Sequence, residues 1–117
     1  MIKQMIGLVC GVALAAPVWA HHSAARFDFG KSVMVEGVVK EFLVNNPHTK
    51  VVLEVTDEKG TRDIEFEGHS RNNVYRRGWR PNLVHEGDQI TITIAPTRDG
   101  SDGGYVTAVT AKDGTEF

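Results

Sequence analysis

The residues of this chain best equipped for chemistry are its five histidines, at positions 21, 22, 48, 69 and 85. A neutral imidazole is the commonest protein ligand for transition metals. His21 stands out because of what precedes it. Lys3, an uncharged and nearly unbroken apolar run over residues 5–17, and then Val18-Trp19-Ala20 have the form of a secretion signal cleaved after Ala20. The apolar run is shorter than the roughly 20 residues that span a bilayer, so no permanent membrane span is expected. Cleavage would give His21 a free α-amine. That amine and the His21 Nδ1 can close a six-membered chelate on one ion. A third nitrogen, from His22 or His48, would complete a T-shaped set that suits Cu(II), and imidazole also suits Ni and Zn. The first expectation is therefore a site for copper or a similar divalent ion at His21, His22 and His48. The competing reading makes His21 and His22 a solvated terminus and His48 the cap of its turn.

A second constellation is basic. Arg71, Arg76, Arg77 and Arg80 fall within ten residues, with Tyr75 and Trp79 between them. Guanidinium forks bind carboxylate and phosphate bidentately and stack on aromatic rings. Arg71, Arg76, Arg77, Trp79 and Arg80 could thus bind an anionic envelope ligand or a partner protein. In the plainer reading the arginines pair with Asp63, Glu65 and Glu67 on a solvated face. The loop Asp99-Gly100-Ser101-Asp102-Gly103-Gly104 looks like a calcium loop only superficially. It lacks the ligand spacing and the closing Glu, and a hairpin loop explains it. Catalysis finds little support. Neither G-x-S-x-G nor H-E-x-x-H occurs, the one cysteine, Cys10, lies in the signal, and the adjacency of His69 to Ser70 does not make a nucleophile and base.

The whole chain has 117 residues and a net charge of −2, the size of one domain. Removal of residues 1–20 leaves residues 21–117 as a single domain. It also removes Lys3, moving the balance to −3, and leaves no thiol. A cysteine-free chain is compatible with the periplasm. An acidic exported protein is a poor nucleic-acid binder, and a monomer or weak dimer is expected.

These groups must be held by short strands. Residues 33–44 are β-rich, with an apolar phase (Val33, Val35, then Val38, Phe42, Val44) that flips across Gly37, as at a bulge. Asn45-Asn46-Pro47-His48 is a turn. Residues 49–56 alternate with Val51, Leu53 and Val55 inward, and residues 61–67 with Ile64 and Phe66 inward, around an Asp57–Gly60 hairpin loop. Ser70 can cap a short helix over residues 71–77, ending at Gly78, with Val74 facing inward. Residues 79–86 are irregular. Residues 89–95 alternate on Ile90, Ile92 and Ile94, and residues 105–110 form a fifth strand. Trp79 and Tyr105 are expected to plug the core. All-β architecture with one short helix between strands three and four predicts a small five-stranded OB-like β-barrel, the alternative being a small β-sandwich.

Several short motifs run in a fixed order. They are His21-His22-Ser23, Asn46-Pro47-His48, Phe66-Glu67-Gly68, Arg76-Arg77-Gly78-Trp79, His85-Glu86-Gly87-Asp88 and Arg98-Asp99-Gly100-Ser101. Together they resemble a family of small exported bacterial proteins classed as a domain of unknown function. The resemblance covers nearly all of the mature chain. It implies an exported β-barrel and supplies no activity. Phe42-Leu43-Val44 stands where the family often has Trp, and Arg71 follows Ser70 where the family often has Pro.

Overall fold

A computed structural model describes residues 25–117. The expected signal, its cleavage point at Ala20, and His21 and His22 lie outside the described residues. Five strands run in the order β1 (Val33–Leu43), β2 (Thr49–Asp57), β3 (Gly60–Gly68), β4 (Gln89–Pro96) and β5 (Gly104–Thr110), with the helix α1 (Arg71–Arg76) between β3 and β4. They close into a barrel in the order β1-β2-β3-β5-β4. This is the OB-like barrel, and the sandwich alternative falls away. Four of the joins are antiparallel. The fifth, between β3 and β5, is parallel and rests on two residue pairs, Glu67 with Tyr105 and Gly68 with Val106.

The alternating residues of each strand fill the interior. Val39, Val51, Leu53 and Ile92 are fully enclosed, and Ile64, Phe66, Ile90, Ile94 and Val106 pack around them. The phase reversal in β1 is real but lies elsewhere than expected. Val35, Gly37 and Val39 keep one phase inward, and the register with β2 shifts between Val39 and Glu41. The bulge is therefore at Lys40. Gly37 serves a different purpose, because a Cβ there would stand 2.7 Å from the Glu54 carbonyl oxygen. At that position the strands approach too closely for any side chain.

The hairpin joining β2 and β3 pairs Asp57 with Gly60 across Glu58 and Lys59, and Gly60 takes a positive φ. The Ser70 hydroxyl accepts from the Asn73 amide and starts α1, even though Arg follows the cap, and Gly78 at φ 115° ends the turn after it. Val74 is the buried residue of the helix and docks it on the barrel. The peptide bond between Asn46 and Pro47 is cis.

Beyond the strands, Phe117 folds back to exchange two backbone hydrogen bonds with Val109, and its ring packs edge-on to Phe42. At the other end of the described chain, Asp28 donates its amide to Pro96, and Arg98 donates its amide to Arg26. Residues 26–28 thus extend the edge of β4.

Candidate functional site

The outward-facing residues at the C-terminal end of β3 bring together most of the chemistry the fold displays. Strand alternation puts Glu67 and His69 on one side of the sheet. The Thr49–Gly68 pair of the β2–β3 ladder brings His48, just before β2, opposite His69. The Glu67–Tyr105 pair adds Tyr105 from β5. The side chains then pair off. Nε2 of His48 lies 3.4 Å from Oε1 of Glu67. The Tyr105 hydroxyl is hydrogen-bonded to Nδ1 of His69 at 3.1 Å, with the two rings edge-on.

The surroundings set the protonation of the second pair. Partial burial pushes the His69 imidazole below its ordinary pKa, and the nearby Arg77 guanidinium pushes the same way. Burial raises the Tyr105 phenol, and the Glu67 carboxylate adds to the rise.

Tyr105 does not plug the barrel as expected. It is half-buried on the outside, where Phe27 and Phe29 flank it at ring-centroid distances of 5.8 and 5.3 Å. These two phenylalanines belong to the segment that extends β4. They fasten the start of the described chain onto the same face as His48 and His69. Arg26 and Phe27 also line one groove with Glu65 and Glu67. Nothing in the hydrophobic pattern singled out this apolar clamp, because Phe27 and Phe29 lie outside any strand.

His85 is elsewhere. It sits in the loop between α1 and β4, 3.7 Å from Asp88. Among the described residues no three His, Cys, Asp or Glu side chains are grouped to hold a metal ion. His48, the one predicted ligand within the described residues, is paired there with Glu67.

A family of unknown function (DUF6152) matches residues 9–107. The chain belongs to that family. No curated protein matches it. All four arginines of the segment over residues 71–80 are exposed. Trp79 is buried in the core, so its ring is not offered to a ligand, and this corrects its assignment to the basic patch. Arg77 donates to the Thr107 carbonyl, and Arg80 donates to the Tyr75 and Trp79 carbonyls while stacking 4.0 Å above the Tyr75 ring. Arg71 and Arg76 remain as exposed basic heads. The ion pairs expected with Asp63 and Glu65 are not formed among the described residues.

A different arginine, Arg62, which the sequence reading passed over, has a definite structural task. Its guanidinium grips both oxygens of Asp102 at 2.7 and 2.8 Å and reaches Asp57 at 2.7 Å. It straps the β2–β3 hairpin to the loop before β5, across the seam that β3 and β5 close with two residue pairs. Asp99 turns back on Ser101. The calcium-like loop is thus a hairpin loop whose carboxylates are already used.

Proposed function

We propose that this protein is an exported, periplasmic metal-binding module whose processed N-terminus supplies the metal chelate. The α-amine and Nδ1 of His21 hold a divalent ion such as copper. His22 adjoins that chelate, and His48 provides a nitrogen from the barrel. What supports the reading is the clamp of Phe27 and Phe29 on Tyr105, which holds the start of the described residues beside the strand pair of Glu67 and Tyr105. Only four residues, 22–25, separate His21 from Arg26, and the five Cα steps between them span at most about 17 Å. Arg26 already shares a groove with Glu67, the partner of His48.

The test uses protein recovered after export, its N-terminus confirmed by mass. Copper(II) is titrated into it and into a form acetylated at the α-amine of His21. Acetylation removes that nitrogen as a donor, so affinity should fall sharply. Equal affinities would sink the proposal, as would recovery of protein that keeps residues 1–20.

A further inference from the structure

Every Lys or Arg on a strand is ion-paired. Lys40 pairs with Glu54, Lys50 with Glu41, and Arg62 with Asp57 and Asp102. The helix and the turn after it differ. Arg71, Arg76, Arg77 and Arg80 are all exposed, and none of the four makes an ion pair among the described residues. Acids are not scarce, since the chain has 15 Asp and Glu against 13 Lys and Arg. Six helical residues rise about 9 Å, about one Debye length at physiological salt, so the charges of α1 act together on whatever approaches. We infer that α1 and the turn after it are a docking surface for an anionic membrane, where the four arginines meet the phosphates of acidic lipids.

The shape of the surface selects the partner. α1 buries Val74 and presents its other residues to solvent. At about 100° per residue, Arg76 projects nearly opposite Val74, with Arg71 and Arg77 to either side. A single small anion needs a concave site with converging donors, and an extended acidic peptide needs a groove. Charges spread around a protruding helix fit instead a broad layer of phosphates. Two of the four are also held in place. Nη1 of Arg77 donates to the Thr107 carbonyl, and Nη1 of Arg80 to the carbonyls of Tyr75 and Trp79. A guanidinium has five N–H donors, so both keep others for phosphate and lose less freedom on docking. Tyr75, under the Arg80 guanidinium, is 51% exposed, and an amphipathic ring of this kind suits the headgroup level of a bilayer. Because the whole chain carries a net charge of −2, the attraction is local and sets the orientation of the protein on the surface. None of this depends on the N-terminal chelate.

The exported protein is sedimented with vesicles of phosphatidylglycerol and phosphatidylcholine in equal parts, and with vesicles of phosphatidylcholine alone. It should bind the acidic vesicles at about 0.1 M salt and release them at about 1 M, as the Debye length falls from about 10 to about 3 Å. A basic side chain close to an anionic bilayer is worth about fivefold in partitioning, so Arg71→Gln with Arg76→Gln should weaken binding about 25-fold. Lys40→Gln with Lys59→Gln removes the same charge from β1 and the β2–β3 hairpin and should weaken it far less. Arg71→Lys with Arg76→Lys keeps the charge and should bind within about twofold of the unaltered protein. Thermal melts check that each variant is folded. Failure to bind the acidic vesicles overturns the inference, as does equal binding to the neutral ones. Equal losses in the two glutamine pairs would reduce the effect to net charge and overturn it too. Loss of binding in the lysine pair would overturn it in favour of a partner that needs the guanidinium fork.

Discussion

Replacing Phe27 with alanine should separate the anchoring of the N-terminal segment from the integrity of the barrel. Phe27 is 2% exposed, yet it lies outside the main core cluster and packs instead on Tyr105 and Phe29. Truncating a buried Phe typically costs about 3–5 kcal/mol. A peripheral position belongs at the lower end, about 3 kcal/mol, and detachment of the segment limits the loss further. The effect on metal binding can be worked from chain length. Five residues, 21–25, precede Arg26, whose carbonyl accepts from the Arg98 amide. Loss of the ring lengthens the tether only where it also releases that bond and the one from Asp28 to Pro96, and the chain then runs twelve residues from His21 to β1, which begins at Val33. The added loop-closure entropy, (3/2)RT ln(12/5), is about 0.8 kcal/mol, or about a fourfold loss of affinity. Urea unfolding and metal titration on the same samples read the two effects. A destabilised Phe27→Ala with unchanged metal affinity would refute the idea that this clamp positions the chelate.

Gly37→Ala should lower the urea midpoint, by about 1–3 kcal/mol of overpacking, because its Cβ would meet the Glu54 carbonyl at 2.7 Å; an unchanged midpoint would show that the strands part easily. Arg62→Met should lower the melting temperature at pH 7 and make it less acid-sensitive. The Asp57 and Asp102 carboxyls are held below their ordinary range first by hydrogen bonds from Arg62. Such groups stabilise the fold above their unfolded pKa, and the contribution is lost as pH falls through the lower folded value. The gap between wild type and variant should therefore close below about pH 4, and a constant gap down to pH 2 would contradict the strap. Arg77→Met should raise the His69 pKa in an NMR titration by removing the smaller of its two depressing causes, while burial keeps it below the ordinary value; a fall on substitution would contradict this.

The barrel was legible wherever one face of a strand meets the core. Val51, Leu53 and Val55, or Ile90, Ile92 and Ile94, announce their strands because alternation has a single cause, burial of one side. In β1 the same rule placed the phase change at the glycine. A glycine also occurs where backbones approach closely, and Gly37 is of that kind, while the bulge falls on the unremarkable Lys40. The site was legible only in part. His48 was visible from its type and its turn. Its pairing with Glu67, and that of His69 with Tyr105, depend on register between strands, which local pattern does not reveal. In the arginine segment, the inward turn of Trp79 was expected from its size, whereas the backbone carbonyls that Arg77 and Arg80 reach depend on the fold around them.

The proposed site has a consequence for when metal is held. Of the proposed ligands, His48 is the one that the described barrel supplies, and among the described residues no metal-ligating group of three surrounds it. The remaining donors on this reading are the amine and imidazole of His21, and that amine exists only after cleavage at Ala20. Before cleavage the same nitrogen is an amide, a much poorer ligand unless it loses its proton. A precursor with residues 1–20 attached should therefore bind copper weakly even when its barrel is folded, and occupancy should follow processing. Measuring copper content in a variant with Ala20 replaced by a bulky residue to block cleavage tests this directly. Full occupancy of the uncleaved chain would show that the amine is dispensable.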